Sequence, residues 1–169
     1  MLSRELIVDA SGIINLLNGG VARTCLQNIE PVVDVTPAIE RECNGHGDTS
    51  LAFRGLVDDG LLVQCLAVIS ATDLAEFIEL NDLGAGESEA ILACEQIGRH
   101  VWCDDGRART VARERLGIDK VTGTLGILKD LVRIQDLTPE LAHSSYQAMI
   151  AAGGFLPPMT LQDFMPAEA

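Results

Sequence analysis

The residues of this chain best placed to do chemistry are acids: Asp9, Glu42, Glu87, Asp104 and Asp105. Ionised carboxylates are costly to bury unless they are paired or bound to metal, so acids that converge on one crevice require a cation. Oxygen ligands without accompanying His or Cys select hard ions, Mg²⁺ or Mn²⁺. Such a cluster with one or two ions suits hydrolysis of a phosphodiester, because metal activates water and neutralises charge developing on the phosphoryl group.

The elements that would bring these acids together can be read from the pattern of apolar residues. Leu6-Ile7-Val8-Asp9-Ala10, followed by Ser11-Gly12 as a turn signal, reads as a buried strand of a parallel sheet ending in an acid. In open α/β sheets ligands bind in the crevice outside the carboxyl ends of the strands, which makes Asp9 a site candidate by position. Helical stretches from Gly12 to Asn18 and from Val21 to Asn28 follow, then a strand over residues 30–35 with Pro31 at its start. Thr36 suits an N-cap and Pro37 the first position of the next helix, in which Glu42 falls on the apolar side with Ala38 and Ile39 while Glu40 points away.

Asn44 to Asp48 reads as a polar loop and Leu51 to Val57 as an apolar helix. Leu61 to Val68 is a third strand, placed at a sheet edge by Gln64, and Ser70 or Thr72 caps the helix after it. Gly84-Ala85-Gly86 resembles half of a dinucleotide fingerprint, but no strand directly precedes it and Glu89 stands at the third glycine position, so that reading is rejected. The helix opening at Glu87 places Ala90, Ile91, Cys94 and Ile97 on one buried stripe. His100 to Cys103 is a short strand ending in Asp104-Asp105-Gly106, followed by a basic helix from Arg107 to Arg115. Thr122-Gly123-Thr124-Leu125-Gly126 leads into a helix through Val132, and two last helices begin at Thr138 and Thr160. Alternation of short apolar runs with helices predicts an α/β domain, and 169 residues suffice for one well-buried core.

Composition narrows the function. The net charge of −13 opposes a general nucleic-acid-binding surface. Half of the 12 basic residues nevertheless lie between Arg99 and Lys120, beside Asp104-Asp105, where they could hold a phosphate backbone or form a solvated helix face. The cysteines Cys25, Cys43, Cys65, Cys94 and Cys103 are odd in number and never arranged as C-x-x-C, which points to buried small side chains rather than disulfides or a thiolate zinc site. His46, His100 and His143 share no metal-ligand spacing and are given no role. No apolar stretch approaches the roughly 20 residues of a membrane span and no signal-peptide core opens the chain, so a cytoplasmic protein is expected.

Each acid also has a purely structural reading. Asp9 could cap the turn after it, Glu87 could answer a helix dipole, Glu42 could pair with Arg41 or Arg54, and Asp104-Asp105-Gly106 could be only a turn. Their joint occurrence weakens all four readings together.

The order of motifs is more specific than any one of them. Val8-Asp9-Ala10-Ser11, Glu42 after a Thr-Pro helix start, Gly86-Glu87-Ser88-Glu89-Ala90-Ile91, Asp104-Asp105-x-x-Ala108-Arg109 and Thr122-Gly123-Thr124-Leu125-Gly126 together resemble the PIN-domain superfamily over about residues 5 to 165. The nearest resemblance is to a prokaryotic branch of predicted nucleic-acid-binding proteins related to VapC-type toxin ribonucleases. It implies a three-layer α/β/α fold with a mostly parallel five-stranded sheet and a Mg²⁺- or Mn²⁺-dependent ribonuclease; the length of the chain, too short for two ordinary domains, leads to the expectation of a single domain over residues 1–169. By this resemblance Asp9, Glu42 and Glu87 match the first three metal-binding acids, and the last falls on Asp104 or Asp105, with Asp105 preferred as inner ligand. Ser11 matches a small polar residue beside the metal. Arg107, Arg109, Arg113 and Thr124 are taken as contacts to RNA.

The expected function is that of a metal-dependent endoribonuclease, the toxin of a toxin–antitoxin pair, with RNA as substrate, a small antitoxin as partner and a homodimer as the assembly. The acidity outside residues 99 to 120 would suit a basic antitoxin segment inserted among the carboxylates. The alternative is a catalytically weak PIN-fold module that binds nucleic acid or protein. A receiver-like phosphotransfer domain is disfavoured because Lys120 precedes Thr122 instead of lying in the turn after a later strand.

Overall fold

A computed structural model describes residues 1–45 and 47–166. In chain order the elements are β1 (Leu2–Ser3), β2 (Leu6–Val8), α1 (Ala10–Asn18), α2 (Ala22–Gln27), β3 (Ile29–Glu30), β4 (Val33–Val35), α3 (Pro37–Gly45), α4 (Ser50–Asp58), β5 (Leu62–Gln64), α5 (Ala71–Asn81), α6 (Ala85–Ile97), β6 (His100–Trp102), α7 (Gly106–Leu116), β7 (Val121–Thr122), α8 (Thr124–Arg133) and α9 (Pro139–Ala151). The sheet has the strand order β5-β4-β2-β6-β7, and every pairing in it is parallel. Helices flank the sheet. The five-stranded parallel sheet expected between helices is therefore present, and a second parallel pair, β1 with β3, was not anticipated.

Sheet order dictates where a ligand can sit. From β2 the chain moves outward through β4 to β5, then returns to place β6 on the other side of β2. Connections leaving β2 and β6 therefore diverge, and the crevice of a parallel α/β sheet opens at such a switch point. Val8 lies opposite Trp102, and the Asp9 N–H donates to the Trp102 carbonyl at 2.9 Å. The residues that follow these two strands are the acids Asp9 and, after Cys103, Asp104.

Leu6, Ile7, Val8, Val33, Val35, Val101 and Trp102 are fully or almost fully buried, as continuous apolar runs in a two-sided parallel sheet require. Helix α6 lies against β2 and β6 and touches α3, α5 and α7, whereas α1 packs on α9 and α9 on α8. The five cysteines are all buried and unbonded. Asp34, inside β4, is buried against Arg99 at 2.5 Å; desolvation still holds its carboxyl above the usual range, and the Arg99 guanidinium offsets part of that rise.

Several boundaries differ from those expected. Helix α1 already begins at Ala10, so Ser11-Gly12 is its first turn instead of a break. Gly12 is there for packing: a Cβ would stand 2.9 Å from Val8 Cγ2 and 3.0 Å from Trp102 Nε1. Thr36 does not cap α3, since its hydroxyl is buried without a partner and the Ala38 N–H donates instead to Glu89 Oε2 at 2.7 Å. The loop expected from Asn44 is partly helical, because α3 runs through Gly45 and a 3-10 turn spans Gly47–Thr49. His46 lies outside the described residues. The helix expected at Thr160 is only a 3-10 turn over Leu161–Phe164, closed by Asp163 Oδ2 accepting the Thr160 N–H and hydroxyl and confined between Pro158 and Pro166.

Gly12→Ala should cost about 1–3 kcal/mol by forcing a methyl against Trp102. Urea unfolding followed through the emission of Trp102, the one tryptophan of the chain, measures this, and an unchanged midpoint would contradict the packing role.

Candidate active site

Asp9 is the N-cap of α1 and is only 1% exposed. Its Oδ1 accepts the Gly12 N–H at 2.8 Å, and the Ser11 hydroxyl stands 2.9 Å from each carboxylate oxygen. The capping expected as an alternative to chemistry is thus real, and it also fixes the carboxylate in place. Burial, helped by the neighbouring Asp104 and Glu87 and opposed by the Gly12 and Ser11 donors, leaves the Asp9 carboxyl pushed up to about 8.

Asp104 stands beside it on a separate set of donors. Asn15 Nδ2 donates to Oδ2 at 2.8 Å, and Thr124 supplies its N–H to Oδ1 at 2.7 Å and its hydroxyl to Oδ2 at 2.5 Å. The same Thr124 hydroxyl accepts the buried Trp102 Nε1–H at 3.1 Å. The carboxylate is therefore oriented by α1, by the start of α8 and, through one hydroxyl, by the core.

The remaining acids come from helices. Glu87 opens α6, two residues later than the helix itself begins, and its Oε2 accepts the Gly84 N–H at 2.9 Å. Its carboxyl is held above the usual range by partial burial, with Asp105 and Glu42 adding to the rise. Glu42 is exposed and Glu40 half-buried, the reverse of the burial expected from the stripe of Ala38, Ile39 and Cys43. Its long side chain still reaches the crevice, where Oε1 accepts the Gly86 N–H at 2.9 Å. A Cβ on Gly86 would lie 2.7 Å from Glu42, so the glycine that resembled part of a nucleotide fingerprint is needed for this approach. Asp105 caps α7, Oδ1 accepting the Arg107 and Ala108 N–H groups at 2.8 Å each.

One cleft of about 370 Å³ is lined by Ser11, Asn15, Glu87, Asp104 and Asp105 among others. Its donor set consists of carboxylates and neutral oxygens, the kind that hard divalent ions prefer. Among the described residues no three acids are close enough together to cage an ion as they stand. The chemistry of the donors fits Mg²⁺ or Mn²⁺, and their spacing is open.

The basic residues are only partly where a phosphate would need them. Arg109 lines a neighbouring cleft with Asp104 and Gly123, donating from Nη1 to the Cys103 carbonyl at 3.0 Å. Arg107 turns instead to the Asn81 carbonyl at 2.7 Å and to Asp82 at 3.1 Å, and Arg113 is exposed about two turns beyond Asp105 along α7. Arg99 and Arg115 are paired with Asp34 and Glu95, and Lys120 donates to the Gly98 carbonyl. The cluster of positive charge read from the sequence is therefore dispersed over several surfaces. Asn15 joins the site from outside the set of acids, and its sequence signal is an asparagine amid Ile13, Ile14, Leu16 and Leu17.

The sign of the pH dependence follows from Asp9. Its folded carboxyl keeps a proton up to about pH 8, while the unfolded chain releases it near 3.8, so unfolding between those values releases a proton and is favoured as pH rises. Protein held in chelator should melt at progressively lower temperature from pH 5 to pH 8. Asp9→Asn should flatten that slope, each ~1 kcal/mol recovered raising Tm at pH 8 by ~2–4 °C; parallel slopes for the two proteins would show that Asp9 is not held protonated.

The sequence model of one family, described as a PIN domain, matches residues 5–167. No curated protein and no solved structure gives a significant match to the chain. PIN domains are generally nucleases, which act on nucleic acid and typically use divalent metals. The match spans both strands that end in acids, the helices bearing Glu42 and Glu87, and the Thr124 turn that orients Asp104, and on that extent the chain belongs to the PIN-domain family.

Proposed function

We propose that the chain is an endoribonuclease that depends on Mg²⁺ or Mn²⁺ and serves as the toxin of a toxin–antitoxin pair. The observation that carries the reading is the placement of Asp9 and Asp104 past the ends of two adjacent strands, at the switch point of the sheet, with Glu87 facing them from the start of α6. Asp9, Asp104 and Glu87 would hold the ion, with Glu42 and Asp105 at the margin; Asp104 takes the inner place expected of Asp105 in this reading because Asp105 Oδ1 is engaged by the Arg107 and Ala108 N–H groups. A divalent ion bound there would activate water and offset charge developing on the phosphoryl group.

The chain's own groups have separable tasks. Ser11 and the Gly12 N–H fix both oxygens of Asp9, and Asn15 with Thr124 fixes those of Asp104, so neither carboxylate must reorganise when substrate arrives. Arg109 spends one Nη1–H on the Cys103 carbonyl and keeps further donors for a phosphate oxygen. Asp9 must give up its proton as the ion binds, which links metal affinity to pH.

The net charge of −13 and the crowded carboxylates favour a basic segment of a small antitoxin as inhibitor, and exposed Leu51 on α4 offers a contact for a homodimer. A second reading, a PIN module that binds without cutting, is favoured by the open spacing of the acids.

Incubation of end-labelled single-stranded and hairpin RNAs with Mn²⁺, Mg²⁺ or EDTA decides between them. Metal-dependent cuts, reduced by at least ~100-fold in Asp9→Asn, are expected. Thr124→Val, which strips a donor from Asp104, should lose ~10–100-fold. RNA retained in EDTA and left uncut when Mg²⁺ returns would establish the binding module instead.

A further inference from the structure

Phe155 is 99% exposed, more than any other large apolar side chain among the described residues. Its backbone is nevertheless pinned on both sides. Gly153 has a φ of +94°, and the Gly154 N–H donates to the Met149 carbonyl at 2.8 Å. A Cβ on Gly154 would stand 2.7 Å from Asn15 Oδ1 and 2.8 Å from the Met149 carbonyl oxygen, so only glycine permits the chain to pass this close to the residue that holds Asp104. On the far side the buried Tyr146 hydroxyl donates to the Pro157 carbonyl at 3.2 Å and accepts the Met159 N–H at 3.1 Å. The phenyl ring therefore projects from a fixed support.

Its position is as informative as its exposure. Phe155 belongs to the wall shared by two clefts, the acidic one containing Asp104, Asp105 and Glu87 and a larger one of about 780 Å³. The larger cleft has apolar walls from Val121, Leu125, Leu156 and Pro158, with Asp104 and Arg109 also lining it. Scattered exposed apolar side chains need no explanation, but one rigidly mounted between a carboxylate crevice and an apolar cleft does.

We infer that Phe155 is a base-stacking residue: an unpaired nucleobase of the RNA stacks on its ring and enters the apolar cleft, which sets the phosphate beside that nucleotide at Asp104. The inference rests on the ribonuclease reading and adds to it a residue that would bind the substrate's base. Bases within an A-form helix keep their faces in the stack and cannot make this contact. Charge supports the assignment as well. A chain with a net charge of −13 repels the phosphate backbone, and its basic residues are mostly engaged elsewhere, so attraction to RNA must come largely from uncharged surface. Stacking on an aromatic face provides that attraction without regard to base identity.

The test uses the full chain carrying Asp9→Asn, so that binding is read without cleavage, and three probes of equal length: a single-stranded ribo-oligonucleotide, its abasic counterpart and a duplex. Phe155→Ala should weaken binding of the single strand by roughly 10- to 100-fold and leave the abasic probe unaffected, while Phe155→Tyr stays within a few-fold of the parent. Phe155→Trp should lose emission on titration with the single strand and keep it with the abasic probe and the duplex. Melting temperatures should match the parent throughout, as expected for a side chain out of the core. Equal affinity of Phe155→Ala and its parent for the single strand, or an equal loss on the abasic probe, would overturn the stacking role. If Phe155→Ala in the otherwise unaltered chain cuts RNA at the parent rate with unchanged base preference, stacking fails while the ribonuclease reading stands. Absence of RNA binding by any form of the chain would overturn both.

Discussion

Everything at this site follows from the cost of placing carboxylates where water cannot reach them. Asp9 is buried at the end of a central strand, and Asp104 and Glu87 add like charge to a group already deprived of solvent. A chain with no use for that arrangement would place an apolar residue or an asparagine there. The structure instead surrounds each carboxylate with donors, the Ser11 hydroxyl and Gly12 N–H for Asp9, the Asn15 amide and Thr124 hydroxyl for Asp104. Donors of this kind lower the cost of a charge and fix its direction. They do not supply the positive charge that hard oxygen ligands call for, which is why the donor set suits a divalent ion.

The support of the crevice is built into the core. The Trp102 indole donates to Thr124, whose hydroxyl donates to Asp104, so the largest buried side chain of the molecule is two hydrogen bonds from a candidate ligand. Gly12 lets α1 settle against that same indole, and Gly86 lets Glu42 reach α6. These glycines read in the sequence as turn signals or as fragments of a phosphate loop. Their function is close approach, a property that depends on what lies opposite them and is invisible along a single chain.

The same distinction explains how much was legible beforehand. Leu6 to Val8 and Val101-Trp102 could be read as strands because a parallel sheet buried on both faces leaves uninterrupted apolar runs, and the strand around Val33 and Val35 could be read despite Asp34, whose charge Arg99 meets. Asp9 was identifiable because it ends such a run. Asn15 showed only as a polar residue in an apolar stretch, without its partner, and Gly154 and Phe155 showed nothing, since their importance comes from contacts between α1, the end of β6 and the segment after α9, which are far apart in sequence. The dispersal of the basic residues was hidden for a similar reason: Arg99 and Arg107 are close in sequence to Arg109, yet turn toward Asp34 and Asp82. Local charge counts assume one surface where the fold makes several.

The distance in sequence between Asp9 and Thr124 has a further consequence. The crevice cannot exist until β6 has paired with β2 and the turn after β7 has delivered its donors, so none of the segments is competent alone. During synthesis β2 must wait until β6 and the residues after it have been made before Asp9 acquires its neighbour Asp104. Assembly of the crevice is therefore a late, non-local event in folding, since contacts between segments this far apart form only after the intervening chain has been ordered.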